Sequence, residues 1–151
     1  MIKALDYIVQ PRKKVLEIIK PLSIEQVNHI PTGFNNNIIW NLGHMIAAQQ
    51  GICYKRAGLD TIVGEEFFDR YKPGSKPEQF FDAIELEKII GLLSTTITQL
   101  EADLKTDMFG NYPAFTTRYG IELTSVDDAV QFLPFHEGLH IGTIVAMSKI
   151  V

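Results

Sequence analysis

Residues 125–147 read Ser125-Val-Asp-Asp-Ala-Val-Gln-Phe-Leu-Pro-Phe-His-Glu-Gly-Leu-His-Ile-Gly-Thr-Ile-Val-Ala-Met147. Ala129, Leu133, His136, His140, Thr143 and Met147 recur at three- and four-residue steps, the period of one helical face. Ser125 suits an N-cap, and Asp127 and Asp128 fall in the first turn, where carboxylates complement the helix dipole. The stretch therefore predicts a helix from about Ser125 to the C-terminus. Pro134 removes one backbone donor from it. It is read either as a packing kink or as a bend that aims His136 at a neighbouring helix.

Three other segments carry the same period. Leu5, Ile8, Val9, Val15, Leu16 and Ile19 predict a helix over about residues 3–20, interrupted at Pro11 and ended by Pro21. A second helix is expected over about 36–57, with Asn35, Asn36 and Asn37 as candidate caps and Gly58 just past its end. At about 100° per residue, Trp40, Gly43, His44, Ala47, Gly51 and Tyr54 share one arc of it. Ile39, Leu42, Ile46 and Cys53 share another, so this helix is buried on two sides. Gly43, Ala47 and Gly51 form a small-residue stripe that admits a close neighbouring backbone. The second apolar arc needs a cover, from the third helix or from a partner subunit. A third helix is expected over about 78–104, on Phe81, Ile89, Leu93, Ile97, Leu100 and Leu104. Residues 58–77 read as a long connection, packed down by Phe67, Phe68 and Tyr71. Short extended pieces are expected near 114–118 and 121–123. Four long helices with crossovers of about twenty residues describe an all-α four-helix bundle.

The composition agrees with one domain over residues 1–151. The 151 residues are 46% hydrophobic and 21% charged, ordinary for a globular chain and unlike a disordered one. A net charge of −4 offers no broad cationic field for nucleic acid. A lone cysteine, Cys53, closes no internal disulfide. It lies about 180° from His44 on the helical wheel and reads as a small buried apolar group rather than a ligand or nucleophile. The N-terminal residues lack the pattern of a signal peptide, and no apolar run reaches the roughly 18 residues of a membrane span. A cytoplasmic protein is the expectation.

The chemistry rests on His136 and His140. At i and i+4 they stack on one helical face, the spacing of a chelating pair for a divalent transition metal. Both lie in the core stripe, where an unpartnered imidazole costs about 1–3 kcal/mol, and a shared cation satisfies both. His44 also points inward. The string His136-Glu137-Gly138-Leu139-His140 matches the zincin H-E-x-x-H. However, none of the eleven residues after His140 is Asp, Glu, His or Cys, so any third ligand comes from upstream, which is not zincin architecture. Glu137 is a candidate general base or hydrogen-bond acceptor, and equally a solvated or interface residue. Asn41, Gln50 and Tyr54 are candidates for a polar pocket mouth. Trp40 reads as core packing before substrate platform, and His29 as an exposed loop residue.

Trp40-Asn-Leu-Gly-His44 and Phe135-His136-Glu-Gly-Leu-His140-Ile-Gly142 together resemble the DinB/YfiT-like metalloenzyme superfamily, in its DinB_2 branch. The resemblance covers almost the whole chain. It implies an up-down-down-up four-helix bundle with long crossover loops, often dimeric. It also implies a divalent transition metal, zinc or nickel in many members and iron in some, held by His44, His136 and His140. Three neutral imidazoles leave coordination positions open, as in catalytic rather than closed structural sites. Such a metal can activate water for hydrolysis or hold a thiol as thiolate. The resemblance favours the second, since relatives use low-molecular-weight thiols such as bacillithiol or mycothiol. A thiol-dependent S-transferase acting on small electrophiles is therefore expected. A metal-dependent hydrolase and a non-catalytic stress-response or binding module are the alternatives, and a homodimer is the expected assembly.

Overall fold

The computed structural model describes residues 3–151. Four long helices carry most of the chain: α1 (Lys3–Ile19), α3 (Ile38–Gln50), α5 (Ala83–Asp103) and α6 (Val126–Met147). Two short helices, α2 (Ile24–Asn28) and α4 (Glu65–Tyr71), lie in the connections. A two-stranded antiparallel hairpin, β1 (Phe115–Thr116) and β2 (Glu122–Leu123), pairs Phe115 with Leu123 ahead of α6. The protein is all-α, with little strand.

In α1 the buried positions are Leu5, Ile8, Arg12, Val15 and Ile19, a stripe at three- and four-residue steps. The helix runs through Pro11 without ending. Every residue of α3 from Ile38 to Gln50 is buried. This helix packs against α6 and α5 and is flanked by α2 and α4, while α1 packs against α6 and α5. Its second apolar arc is therefore covered within the chain. Ile39, Leu42, Ile46 and Cys53 are each fully buried there, and the face leaves nothing for a partner subunit to cover.

Caps set most boundaries. Asn37, one of three candidates, caps α3 by accepting from the Trp40 N–H at 2.9 Å. Ser23 and Gln26 form a reciprocal capping box at the start of α2. Asp82 caps α5, so that helix begins at Ala83 rather than near residue 78. Ser125 caps α6 as expected, and α6 ends at Met147. The helical run that begins with α3 does not stay α-helical to residue 57. At Gly51 it widens into a π-helical turn, Gly51–Lys55, and Gly58 then closes it at φ +76°.

The small-residue stripe on α3 meets aromatic rings rather than a backbone. A Cβ at Gly43 would overlap the Tyr71 ring, and one at Gly51 would stand 3.1 Å from Phe68. Both aromatics belong to α4, inside the segment read as a connection. Their close approach seats α4 on α3 beside His44.

Candidate metal centre

α3 supplies one histidine and α6 supplies two. The His44 and His140 ring centroids are 4.6 Å apart, those of His136 and His140 4.7 Å, and those of His44 and His136 5.4 Å. One nitrogen from each ring lies within 4.8 Å of those of the other two. Small side-chain rotations bring such nitrogens to a common cation at about 2.0–2.1 Å. The three expected ligand residues are thus gathered at one place, as a group that can hold a divalent metal.

The surroundings fix which nitrogen is free. His44 Nδ1 lies 2.7 Å from the Tyr71 carbonyl. A carbonyl only accepts, so Nδ1 carries the proton and Nε2 keeps its lone pair. His140 Nδ1 lies 2.9 Å from Asn41 Oδ1. The Asn41 amide donates to Asn37 O at 2.8 Å and Asn36 Oδ1 at 2.9 Å, which orients its oxygen toward the imidazole. His140 therefore donates from Nδ1 as well. Oriented acceptors of this kind set the tautomer of metal-binding histidines. Among the described residues His136 Nδ1 is buried with no hydrogen-bond partner.

Electrostatics agree with three neutral rings. Burial lowers the His44 pKa against the raising effects of the Tyr71 carbonyl and Glu137. Burial, then the His44 and Arg118 charges, pull His136 down to about 4. Burial and the same neighbours, with His136 added, pull His140 down to about 3. Neutral imidazoles are the protonation state a metal requires.

Two compartments meet at this group. All three rings line a polar one of about 560 Å³, together with Trp40, Asn41 and Arg118. His136 also lines a neighbouring apolar one of about 330 Å³. Trp40 is 5% exposed and stacks on His44 at 4.7 Å and 9°, so it serves as core packing and as a wall of the site. Its indole N–H donates to Ser75 Oγ at 3.1 Å.

Other sequence candidates fall elsewhere. Glu137 is 1% exposed and lines neither compartment. Its two oxygens accept from Arg12, Oε2 from Nε at 3.0 Å and Oε1 from Nη2 at 2.6 Å. The solvated reading of Glu137 is therefore replaced by a buried ion pair. Asn41 lines the polar compartment, but Gln50 and Tyr54 do not. Gln50 Oε1 accepts from the Ile62 N–H at 2.8 Å, and the Tyr54 hydroxyl donates to Asp103 at 2.7 Å. Cys53 is fully buried, and burial pushes its thiol up to about 12. His29 is exposed at the end of α2.

Sequence reasoning missed Arg12, Arg118 and the Tyr71 carbonyl. Arg12 had a visible sign, a charged residue in register with the apolar stripe of α1. Arg118 and the carbonyl carried none, because their positions depend on how the connections fold back.

A mostly helical scaffold thus gathers three imidazoles beside open space, a group that can hold a divalent metal. The chain belongs to the DinB superfamily, whose family pattern matches residues 7–144. A comparison with curated proteins finds no match. Among the described residues no helix is long and apolar enough to cross a membrane.

Proposed function

We propose that this is a metal-dependent S-transferase that joins a low-molecular-weight thiol to a small electrophile. In this reading residues 1–151 form one domain, and α1, α3, α5 and α6 form an up-down-down-up four-helix bundle. His44, His136 and His140 are the metal ligands. The observation that carries the reading is the tied-off Nδ1 of His44 and of His140, which leaves Nε2 lone pairs for a cation beside an open compartment.

The cation, zinc, nickel or iron, would supply Lewis acidity toward a thiol or a water. The chain's own residues do the rest. Tyr71 and Asn41 hold two rings in one tautomer, and Trp40 fixes the plane of the third helix's imidazole. The apolar compartment excludes water beside His136. Among the described residues no Asp or Glu lines either compartment. Glu137, the sequence candidate for a general base, is engaged by Arg12. Transfer is preferred to hydrolysis on the resemblance to thiol-using relatives, with the apolar compartment beside His136 as room for a small electrophile. Three protein donors beside open space also favour a reactive centre over a closed structural one.

Metal analysis of the purified protein tests the site, with His44→Ala and His136→Ala as comparisons. Wild type is expected to hold close to one metal per chain and both variants to lose it. With zinc, nickel or iron restored, thiol-dependent consumption of small electrophiles is expected. Ester or amide cleavage without thiol would select the hydrolase instead.

A further inference from the structure

The polar and apolar compartments share Pro73, Arg118, Tyr119 and His136, so they join at the edge of the histidine group. Only His136 of the three rings reaches the apolar side. The walls there are Ala48, Ile52, Phe68, Phe115 and Phe132. The floor is the π-helical turn, opened by Gly51, where a Cβ would press on Phe68 at 3.1 Å. Such turns inside helices recur at functional sites. A volume of about 330 Å³ lies at the small end of the roughly 300–1,000 Å³ range of small-molecule pockets.

Two cations stand on the rim. The Arg56 guanidinium lies 3.9 Å over the Phe115 ring, a stacked position that leaves its N–H edges open. Arg118 reaches both compartments. Among the described residues neither arginine has a carboxylate partner, and no carboxylate lines either compartment. The chain as a whole carries a net charge of −4. An unpaired cationic rim over an apolar chamber in an acidic protein favours one kind of guest.

We infer that the apolar compartment is a binding site for an organic carboxylate with a single ring or short branched chain. The apolar body lies against Phe68, Phe115 and Phe132, and the carboxylate pairs with Arg118 and Arg56. Binding of this guest needs no metal and stands apart from the proposed transfer. The α1–α5 surface also has lysines, Lys13 and Lys20, beside Leu16 and Ile90, but Glu17 lines the same pocket and opposes an anion there.

Calorimetric titration of the metal-free full chain with 4-phenylbutyrate, 4-phenylbutan-1-ol and butyrate tests the inference. Phenylbutyrate is expected to bind at one site. The alcohol lacks the charge and butyrate lacks the ring, and each is expected to bind at least about tenfold more weakly. Arg56→Gln with Arg118→Gln changes two exposed residues. That variant is expected to weaken phenylbutyrate at least about tenfold while keeping the wild-type thermal midpoint and metal content. Absence of phenylbutyrate binding, equal affinity for the alcohol, or unchanged affinity in the double variant would each overturn it, the last by placing the guest away from the two arginines. Metal content of wild type is read separately. Full metal with no phenylbutyrate binding would sink only this inference, and binding without metal uptake would sink only the transferase.

Discussion

Arg12 is 3% exposed and Glu137 1%, yet both are charged. Arg12 makes two bonds to Glu137 and gives Nη1 to the Leu93 carbonyl, so one side chain ties α1 to α6 and α5. Removing one partner strands a buried charge, which costs about 3–5 kcal/mol, whereas replacing both with apolar groups of similar size is far cheaper. Arg12→Met or Glu137→Met is thus expected to lower unfolding free energy by about 3–5 kcal/mol in urea, and the double variant by much less. The histidines make a second prediction. Above the unfolded-state pKa of about 6.5 the rings are neutral in both states and their burial carries no protonation penalty. As pH falls, the unfolded chain takes up protons that His136 refuses until about 4 and His140 until about 3. The histidine contribution to the stability of the metal-free protein therefore falls with pH through that window and levels off below it. Urea midpoints at intervals from pH 7 to 4 should show a shallower fall in His136→Ala than in wild type.

The long helices were legible because their apolar residues keep a 3.6-residue period and their caps are local. Ser125 and Asn37 sit where a few residues of sequence suffice to place them. The short helix α4 was not legible as a helix. Its seven residues are too few for a periodic pattern, and it is held by the fit of Tyr71 and Phe68 against Gly43 and Gly51. Gly43 reads as a small residue from the sequence, but which group fills the space depends on the tertiary course of the connection. The same contact bears on the site, since the Tyr71 carbonyl orients His44. A Cβ at residue 43 forces the Tyr71 ring to move. Gly43→Ala is expected to cost about 1–3 kcal/mol in denaturant titration. It should also weaken metal affinity, measured by competition with a chelator. Tyr71→Leu in the same chain makes room for the methyl group and should recover stability more than affinity.

The imidazoles come from helices about a hundred residues apart in the chain, and their orienting acceptors from α3 and α4. No local segment can hold the metal alone, so the unfolded chain has little affinity for it. Binding to the native state alone adds RT ln(1 + [L]/Kd), about 2.7 kcal/mol at one hundred times Kd. For a domain of this size each kcal/mol moves Tm by about 2–4 °C, so saturating metal should raise the midpoint by about 5–10 °C. The metal-free core has its own support. Ile38, Leu42, Ile46, Ile144 and Met147 close one apolar cluster, and Leu5, Ile8, Cys53, Leu100 and Leu133 close another. His136 in addition buries a ring nitrogen that has no partner among the described residues, a desolvation cost that its removal relieves. His136→Ala should accordingly melt close to the metal-free wild type and show no rise on adding zinc or nickel. An equal rise in both proteins would mean that the metal binds elsewhere. A collapse of the metal-free variant would mean that the three rings hold the fold together rather than waiting in it for a cation.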